Sequence, residues 1–475
     1  MFRLRPDFNT NTCDVGSVDV GGECGETERP GGRSDEKVRD GTAEEASILS
    51  PVQREELEGL LKPSRAHFGT DKIGCAKGIL HHIDTGDAPP VQHRYQSYNP
   101  RIENEAGEEV RRRLELGLVE RSDSPYCSPL LRLKKKSGKA RWVVDYRKLN
   151  SQIRFPNANQ LPRIRDLLMR LKGAAIISSL DVRDAYLQIP LDEESKKKTA
   201  FYVPGEGLFH FTRLPAGLKD AAGRWHGYIQ RIVGHDDQVL VYMDDILIFS
   251  YDGDWEGHKL LLKSVLDKLV EANITVNLEK SVFGRKETLY LGHIIDKYGI
   301  RPDPAKIAAV AGFPRPRKVR QVRQFLGLAG WMRKYVQNFS AKARPLTVLT
   351  QKDRKFEWGP EEEGAFVELK KALCSHPILR SSDFNKPFRM YTDGSASGTG
   401  GVLVQEDEGQ ERVIAYSSRA LTSREERNFS ATELELLAMK HAFEAFRPYL
   451  EGSRFELVTD HSSLRWLLDQ KDPKG

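Results

Sequence analysis

The sequence predicts an α+β protein, and three patterns along the chain predict it. Apolar, strand-like runs alternate with helical segments from about residue 106 to about residue 300. A proline-broken basic stretch, Arg301 to Arg317, leads into an α-rich region. From about Pro387 the composition changes to short strands, a Gly-rich turn and one strong helix. Strand-like and helix-like periods that occupy separate stretches are typical of this fold class.

The composition is that of a folded protein with a sizeable core. Of the 475 residues 39% are hydrophobic, and the length suits about three domains at ~150 residues each. The sequence contains no run of eighteen apolar residues, so no transmembrane helix is expected. The N-terminus, MFRLRPDFNTNTCDV, lacks the apolar segment of a secretion signal. The cysteines are scattered and form no CxxC pair, which favours reduced thiols and does not support a zinc finger.

The N-terminal part of the chain contains few strong motifs. Residues 1–49 are rich in Gly, Glu, Asp and Arg and predict a disordered leader. Ser50-Pro51 predicts the cap and first turn of a short helix that continues through Leu60. Asp84-Thr85-Gly86 matches the aspartic-protease triplet, but a Pro-Pro pair follows it at once and it has no domain of its own. We therefore interpret the triplet as part of an extended connection.

Helical spacing returns between residues 106 and 119, where Val110, Leu114 and Leu118 are four residues apart. Further along, His258, Leu262, Val265, Leu266 and Leu269 form one apolar stripe, which predicts a helix packed on the core.

The segment Val239–Phe249, VLVYMDDILIF, predicts a β-hairpin with acidic residues at its tip. Asp244 and Asp245 stand between two β-prone apolar runs, and adjacent carboxylates in such a hairpin repel each other unless cations are bound. A second apolar run, Ala174 to Leu180, ends in Asp181. If the two segments are neighbouring strands, oxygen ligands meet that favour Mg²⁺ or Mn²⁺. Two such ions about 4 Å apart support nucleotidyl transfer.

Two basic clusters flank these acids. They comprise Lys134, Lys135, Lys136, Lys139 and Arg141, and then Arg315, Arg317, Lys318, Arg320 and Arg323. Either cluster alone is explained equally well by a solvated surface. Together, on both sides of a carboxylate site, they favour a phosphate-backbone partner, although the formal net charge is only +6.

Several longer segments carry a resemblance to a known family. LDVRDAYLQIPLDEESKKKTAF resembles polymerase motif A of retroviral and gypsy-type LTR-retrotransposon reverse transcriptases, and VYMDDILIFS resembles their motif C. LKKKSGKARWVVDYRKLN is similar to their fingers segment, and YLGHIIDKYGIRPDPAKI with QFLGLAGWMRKYVQNFSAKARPLTVLT to the gypsy-type thumb and connection. The likeness runs from about Val52 to the C-terminus and fits the gypsy-type Pol polyprotein best.

The resemblance implies a right-hand polymerase followed by an incomplete ribonuclease H-like α/β domain. The expected parts are an N-terminal extension and the start of the fingers at residues 50–120, fingers and palm at 121–300, and thumb and connection at 301–386. The ribonuclease H-like part is expected at 387–475.

The same resemblance implies roles for individual residues. Asp181, Asp244 and Asp245 correspond to the catalytic carboxylates, with Asp181 and Asp244 as the main metal ligands and the Val182 carbonyl as a further one. Tyr186 corresponds to the steric gate against a 2′-hydroxyl, although alone it would be interpreted as a core aromatic. The residues that correspond to the contacts with the incoming nucleotide and the template base are Lys135, Arg141 and Ala216.

The chain departs from the family at motif B. The usual pattern is close to MPFGLxNAPxxFQ, whereas residues 214–226 read LPAGLKDAAGRWH. Pro215, Gly217 and Leu218 remain, but other positions, including Ala216 and His226, differ. The departure predicts an effect on catalytic efficiency more than on the fold.

The C-terminal region has a β-β-β-α-β order with acids at strand ends, which resembles the ribonuclease H fold. Asp393 ends a strand before a Gly-rich turn, Glu433 opens a helix and Asp460 ends a last strand. The resemblance implies that these three acids hold metal ions for cleaving the RNA of an RNA–DNA hybrid. Glu433 alone would be interpreted as a first-turn helix charge. A fourth acid is expected beyond Gly475, so weak or absent ribonuclease activity is expected of the chain as given.

We therefore expect an RNA-directed DNA polymerase that serves retrotransposon replication, with a linked ribonuclease H domain. Its expected partners are RNA and DNA template–primers, RNA–DNA hybrids, deoxynucleoside triphosphates and other parts of a Pol polyprotein, in a cytoplasmic virus-like particle or the nucleus. One alternative is a catalytically weak or inactive relic that binds nucleic acid. A third hypothesis is a DNA-templated polymerase. It is less favoured, because such an enzyme has no obvious use for a linked ribonuclease H.

Overall fold

The computed structural model describes residues 49–68, 73–93, 98–134, 140–154, 161–171, 173–251, 253–352, 354–375 and 378–459, and the backbone of one short strand, β1 (Phe2–Leu4). The chain divides into two compact units. The first unit comprises residues 47–170 and 174–286, and the second comprises residues 1–46, 171–173 and 287–475. Apart from β1, the predicted leader lies almost entirely outside the described residues.

The first unit contains helices and strands in alternation, as its sequence predicts. Its helices are α1 (Pro51–Phe68), α2 (Pro100–Glu115), α3 (Arg147–Gln152), α4 (Ile164–Met169), α5 (Glu193–Lys198), α6 (Ala221–Val233) and α7 (Trp255–Glu271), with a short 3₁₀ helix at Ala185–Gln188. Its strands are β2 (Val119–Arg121), β3 (Leu130–Lys134), β4 (Ala140–Val144), β5 (Ala174–Val182), β6 (Phe201–Val203), β7 (Gly207–Phe211), β8 (Val239–Tyr242), β9 (Asp245–Tyr251) and β10 (Val276–Arg285).

Capping residues determine where the first helices begin. The Ser50 hydroxyl accepts a hydrogen bond from the Gln53 backbone N–H at 3.2 Å, which confirms the predicted start of α1. The helix does not end at Leu60, however, but continues to Phe68, and both Leu61 and Phe68 are buried. In α2 the Asn99 side chain caps the helix and Pro100 occupies its first turn, so the helix begins before the predicted residue 106.

The first unit is built around an antiparallel sheet in the strand order β10-β5-β9-β8. Strand β5 lies between β10 and β9, so the segment that ends in Asp181 pairs with the predicted hairpin. Helices α6 and α7 pack on this sheet. His258, Leu262 and Leu269 of α7 are fully buried, which confirms the stripe predicted there. The described part of the unit also has a sheet in the order β2-β7-β6 and the hairpin β3-β4.

The Asp84-Thr85-Gly86 triplet packs within the first unit. The Ile83 backbone N–H donates to the Ser195 hydroxyl at 2.7 Å, and the Lys198 Nζ donates to the Ile83 carbonyl at 2.7 Å. Thr85 is 1% exposed. These contacts agree with the interpretation of the triplet as a structural connection.

The second unit contains the α-rich region and a further sheet. Its strands after β1 are β11 (Glu287–Tyr290), β12 (His293–Asp296), β13 (Gly299–Pro302), β14 (Leu379–Arg380), β15 (Phe388–Ser395), β16 (Gly398–Asp407), β17 (Gln410–Arg419) and β18 (Phe455–Thr459). Its helices are α8 (Pro304–Ala311), α9 (Val319–Trp331), α10 (Phe339–Val348), α11 (Pro360–Cys374), α12 (Ser423–Asn428) and α13 (Ala431–Leu450), with a 3₁₀ helix at Arg333–Tyr335.

The C-terminal sheet has the strand order β1-β18-β15-β16-β17. Strands β15, β16 and β17 form an antiparallel meander, and β18 returns parallel to β15 after helix α13. This is the β-β-β-α-β order that the sequence predicts. Helices α8 to α11 share a separate apolar core with β14, around residues such as Phe325, Leu346 and Leu369.

No helix in the described part of the chain combines the length and the apolar character needed to cross a membrane. Cys75, Cys127 and Cys374, the cysteines within the described residues, are free thiols, as the scattered spacing predicts.

Candidate active sites

Three aspartates of the first unit lie at one end of the β5–β9 strand pair. Asp181 is the direct cross-strand partner of Asp245. Asp244 lies in the two-residue turn between β8 and β9, and its backbone carbonyl accepts a hydrogen bond from the Val182 N–H at 2.8 Å. Side chains of directly opposed residues have Cβ atoms about 4.5–5.5 Å apart. The register therefore brings together acids that are more than sixty positions apart in the sequence.

A cleft of about 370 Å³ opens beside this turn. Four of the residues singled out in the sequence line it, namely Arg141, Tyr186, Ala216 and Asp244. Asp181 and Asp245 do not line the cleft itself but flank it through the strand pairing. Lys135 lies outside the described residues.

Arginines dominate one wall of the cleft. Arg112, Arg113 and Arg141 line it together with Glu109. Burial opposes ionisation of the Glu109 carboxyl, but hydrogen bonds and charge from Arg112 and Arg113 hold its pKa below the usual value. Arg113 also donates to the Trp142 carbonyl at 3.1 Å, so its guanidinium is held against β4. The exposed Arg141 side chain on β4 has a fork of donors suited to phosphate oxygens.

Tyr186 lies in the 3₁₀ helix that follows β5, after Asp184 at φ = 40°. The fully buried Gln188 holds this turn against Thr275, the residue directly before β10. Its amide donates to the carbonyls of Arg183 and Thr275 at 2.6 and 2.9 Å, and its oxygen accepts from the Thr275 N–H at 2.8 Å. Gln188 is a polar residue in a short apolar segment and has no periodic signature, so no sequence pattern predicts its role.

Ala216 lies in the loop before α6 and is exposed into the cleft. Asn150 of α3 fastens this loop from the other side. Its side-chain amide donates to the Gly217 carbonyl at 2.8 Å, and its oxygen accepts from the Lys219 N–H at 2.9 Å. The departure from the usual motif B pattern therefore leaves a loop that is still held by defined hydrogen bonds.

The donor set at the turn consists of oxygen atoms only, which suits a hard divalent cation. Among the residues that the structure describes, however, no three His, Cys, Asp or Glu side chains converge to form a ready metal cluster. Like-charged carboxylates repel one another, so convergence of Asp181, Asp244 and Asp245 requires a cation. The backbone thus brings the ligands to adjacent positions, while the side chains do not form a closed cage.

In the second unit, Asp393 lies near the end of β15 and is exposed. The next residue, Gly394, touches the start of α13 so closely that a methyl group in its place would overlap with the Leu434 carbonyl oxygen and lie 2.8 Å from the Glu435 backbone nitrogen. The strand that carries Asp393 and the first turns of α13 are therefore in direct contact. Asp460 lies outside the described residues.

Glu433 has a structural role at the start of α13. Its carboxylate accepts hydrogen bonds from the Ser430 backbone N–H and hydroxyl, both at 2.7 Å, and these bonds lower its pKa. The side chain is exposed. Glu435, two residues later, is only 8% exposed, and its backbone nitrogen lies close to Gly394. Glu435, Met439 and Phe446 are among the buried residues of α13, and no local motif in the sequence distinguishes Glu435 from Glu433.

Two family models match the chain. A model described as "Reverse transcriptase (RNA-dependent DNA polymerase)" matches residues 133–295, which include Asp181, Asp244 and Asp245. A model described as "RNase H-like domain found in reverse transcriptase" matches residues 358–457, which include Asp393, Glu433 and Glu435.

The curated relatives are retrotransposon polyproteins. The Pol polyprotein from transposon 297 of Drosophila melanogaster is 35% identical over 435 residues, which are 90% of this chain and 40% of that protein. The Pol polyprotein from transposon gypsy of the same fly is 34% identical, over 90% of this chain and 42% of that protein. The Tf2-3 polyprotein of Schizosaccharomyces pombe is 33% identical, over 75% of this chain and 27% of that protein. The chain spans about two fifths of the length of the two fly relatives and less of the yeast one.

Solved structures share the fold. A foamy viral protease–reverse transcriptase in complex with double-stranded DNA matches with a TM-score of 0.79 at 24% identity, over 90% of this chain and 89% of that chain. The same type of protein in complex with an RNA/DNA hybrid matches with a TM-score of 0.77 at 23% identity, over 90% of this chain and 58% of that chain.

These matches confirm the expected right-hand polymerase fold with a ribonuclease H-like domain and the resemblance to gypsy-type elements. The chain therefore contains a reverse transcriptase domain followed by a ribonuclease H-like domain, and is similar to the Pol polyproteins of gypsy-type retrotransposons.

Proposed function

We propose that this chain is an RNA-directed DNA polymerase that uses two divalent metal ions, Mg²⁺ or Mn²⁺, to copy retrotransposon RNA. The observation that carries the proposal is the strand register, in which Asp181 opposes Asp245 and the Asp244 turn borders a cleft lined by Arg141, Tyr186 and Ala216. No residue of this set is unusual alone. Their combination, in the cleft and directly beside it, matches what nucleotidyl transfer requires.

Each residue has a separate role in this proposal. Asp181 and Asp244 hold the cations, with the Val182 carbonyl as a further ligand, while Asp245 adds negative charge. The bound ions would activate the primer 3′-hydroxyl and stabilise the leaving pyrophosphate. Arg141 forms charge-assisted hydrogen bonds with the triphosphate, and Lys135 adds a second positive charge.

The remaining contacts select the substrate. Tyr186 supports the sugar of the incoming deoxynucleotide and excludes a 2′-hydroxyl, because the 3₁₀ turn held by Gln188 keeps its ring at the cleft wall. Ala216, in the loop fastened by Asn150, borders the base pair that forms. The relatives of known fold were solved with double-stranded DNA and with an RNA/DNA hybrid. We infer the same kinds of template–primer as partners here, with deoxynucleoside triphosphates as substrates.

Primer extension on an RNA template with Mg²⁺ tests the polymerase proposal. Asp244→Asn is expected to lower the rate by about 10²- to 10³-fold or more, the scale expected when an electrostatic contact to the transition state is lost. Asp267→Asn, at a solvent-exposed aspartate on α7 that pairs with Lys263, is the matched control and should keep the rate of the unchanged chain.

Equal extension by the unchanged chain and Asp244→Asn would reject the proposal. Binding of primer–template without extension, with either metal, would instead favour a relic that only binds nucleic acid, an alternative that the motif B departures motivate.

We further propose that the second unit has a weak ribonuclease activity on the RNA of RNA–DNA hybrids, with Asp393 and Glu435 among its metal-binding carboxylates and Asp460 as a third. Glu435 replaces Glu433 in this role for two reasons. The Glu433 carboxylate is occupied by its own helix cap, and Glu435 lies on the buried helix face beside the strand that carries Asp393.

Paired substitutions separate the two glutamates. Glu435→Gln is expected to lower hybrid cleavage by about 10²-fold and to remove the thermal stabilisation by Mn²⁺, because a metal ligand is lost. Glu433→Gln should keep both properties and slightly lower the free energy of unfolding, because its helix cap is weakened. If Glu433→Gln abolished Mn²⁺ stabilisation and Glu435→Gln did not, the assignment would be reversed.

A further inference from the structure

The turn that carries the catalytic acids has an unusual backbone. Met243 and Asp244 are the two residues between β8 and β9, and Met243 has φ = 53°. Residues with a Cβ atom mostly avoid this left-handed region, and in two-residue hairpin turns with a positive φ at the first position alone, as here, glycine is the usual residue there. The Met243 conformation therefore persists only if neighbouring groups hold it.

One neighbouring group is the indole of Trp225 on α6. Its Nε1–H donates a hydrogen bond to the Met243 carbonyl at 2.8 Å. Trp225 is completely buried, and its ring lies 6.4 Å from that of Tyr228 in the same helix. A buried indole N–H is costly without an acceptor, so the bond also satisfies the tryptophan.

The second neighbouring group is β5. The Val182 N–H donates to the Asp244 carbonyl at 2.8 Å. Two consecutive carbonyls of the turn are thus held from two sides, one by helix α6 and one by the strand that carries Asp181. The residue that follows Met243 is Asp244, so any rotation of the Met243 peptide moves the Asp244 carboxylate.

We infer that Trp225 is a positioning residue for Asp244 and Asp245, an inference that rests on the proposed polymerase function. The motif B pattern that this segment resembles has phenylalanine at the position of Trp225. A phenylalanine ring fills a core but has no N–H to donate. In this chain the tryptophan couples the helix behind the cleft directly to the turn that carries the acids.

A merely structural tryptophan would behave differently, and a matched control exists. Trp255, at the start of α7, is also buried, and its Nε1–H donates to the Glu56 carboxylate at 2.7 Å. Trp225→Phe and Trp255→Phe therefore each remove one indole hydrogen bond from the same unit. Only the first bond reaches the turn.

Single-nucleotide incorporation by the full chain, with kcat and KM measured separately, tests the inference. Trp225→Phe is expected to lower kcat about five- to tenfold, the factor that one lost hydrogen bond corresponds to. The KM for the nucleotide should stay within about twofold, because no substrate contact is removed. Trp255→Phe should leave both constants unchanged.

Repeating the Trp225→Phe measurement in a chain that also carries Met243→Gly makes the test specific. In a Met243→Gly chain the turn adopts positive φ without assistance. The effect of Trp225→Phe on kcat should therefore be much smaller in that background. Equal effects in both backgrounds, or equal kcat for Trp225→Phe and Trp255→Phe, would overturn the inference.

Hydrogen exchange supplies a measurement that does not depend on activity. Peptides that cover residues 239–251 should exchange faster in Trp225→Phe than in Trp255→Phe, because the turn opens more often. If the unchanged chain extends no primer, the polymerase proposal fails, and the exchange rates still decide whether Trp225 holds the turn. Identical exchange in both variants would reject the anchoring.

Discussion

At the scale of single residues, His258 shows how a histidine packed on the sheet that carries the acids stays uncharged. The ring lies between β5 and β9, with Nε2 2.8 Å from the Ser178 hydroxyl and Nδ1 3.0 Å from the Ser250 hydroxyl. Burial lowers its pKa from 6.5 to about 4. Both ring nitrogens have hydroxyl partners, so the neutral histidine joins the two strands that carry Asp181 and Asp245.

This histidine predicts a pH dependence of stability. Because its pKa in the folded protein lies below that in the unfolded chain, the unfolded chain binds the proton more readily. The contribution of the neutral His258 to the free energy of unfolding is fully present above pH 6.5, decreases as the pH falls and is lost below about pH 4. The difference between the two pKa values corresponds to roughly 3 kcal/mol.

Urea unfolding between pH 7 and pH 4, followed by circular dichroism, measures this dependence. His258→Gln should be less stable at pH 7, where it loses the packed ring, but should lose less stability on acidification than the unchanged chain. The exposed His235→Gln serves as control. Parallel curves for His258→Gln and the unchanged chain would contradict the prediction.

The two glutamates of α13 show why residue roles are harder to predict than residue classes. Positions two apart on a helix differ by about 200° in direction, so Glu433 and Glu435 cannot both face the sheet. The sequence contains both acids in the right segment. Only the packing of α13 on β15 distinguishes the buried one from the one that caps the helix.

At the scale of elements, close approach between a strand and a helix defines the candidate site of the second unit. Gly394 of β15 touches the backbone of α13 at Leu434 and Glu435. Glycine is required there because any Cβ atom would overlap with main-chain atoms, which cannot rotate away. The distance between Asp393 and α13 therefore depends on this one position.

Gly394→Ala should force the helix away from the strand. We expect a loss of roughly 1–3 kcal/mol in the free energy of unfolding, together with loss of hybrid cleavage and unchanged primer extension. Gly327→Ala in α9 is the matched control, because no atom lies within 4 Å of the added methyl group. It should stabilise the same unit by up to about 1 kcal/mol. Equal stability of the two variants, measured by urea unfolding, would contradict the proposed contact.

The ends of the elements were less predictable than their existence. Helix α1 extends to Phe68, beyond the predicted Leu60, because its apolar positions continue across Pro63. Helix α2 ends at Glu115, so Leu118, predicted as helical, is buried after the helix end. The hairpin β8–β9 and the strand β5 agree with the prediction, since short apolar runs bounded by acids are strong local patterns.

At the scale of the whole molecule, each compact unit contains its own candidate site. The polymerase acids and the cleft lie in the first unit, and Asp393 with Glu435 lies in the second. The chain passes between the two units at residues 46–47, 170–171, 173–174 and 286–287, and the predicted boundary between palm and thumb at residues 300–301 stays a prediction. The predicted divisions within each unit stay predictions.

The sequence by itself determined the fold class, the resemblance to gypsy-type Pol polyproteins and the order of the elements. Those properties follow from hydrophobic periodicity and short motifs, which are local. The tertiary structure alone decided that Asp181 opposes Asp245, that Trp225 reaches the Met243 carbonyl, and that Glu435 rather than Glu433 lies on the buried face. Strand register and helix rotation depend on the packing of segments distant in the chain, and no local pattern encodes that packing.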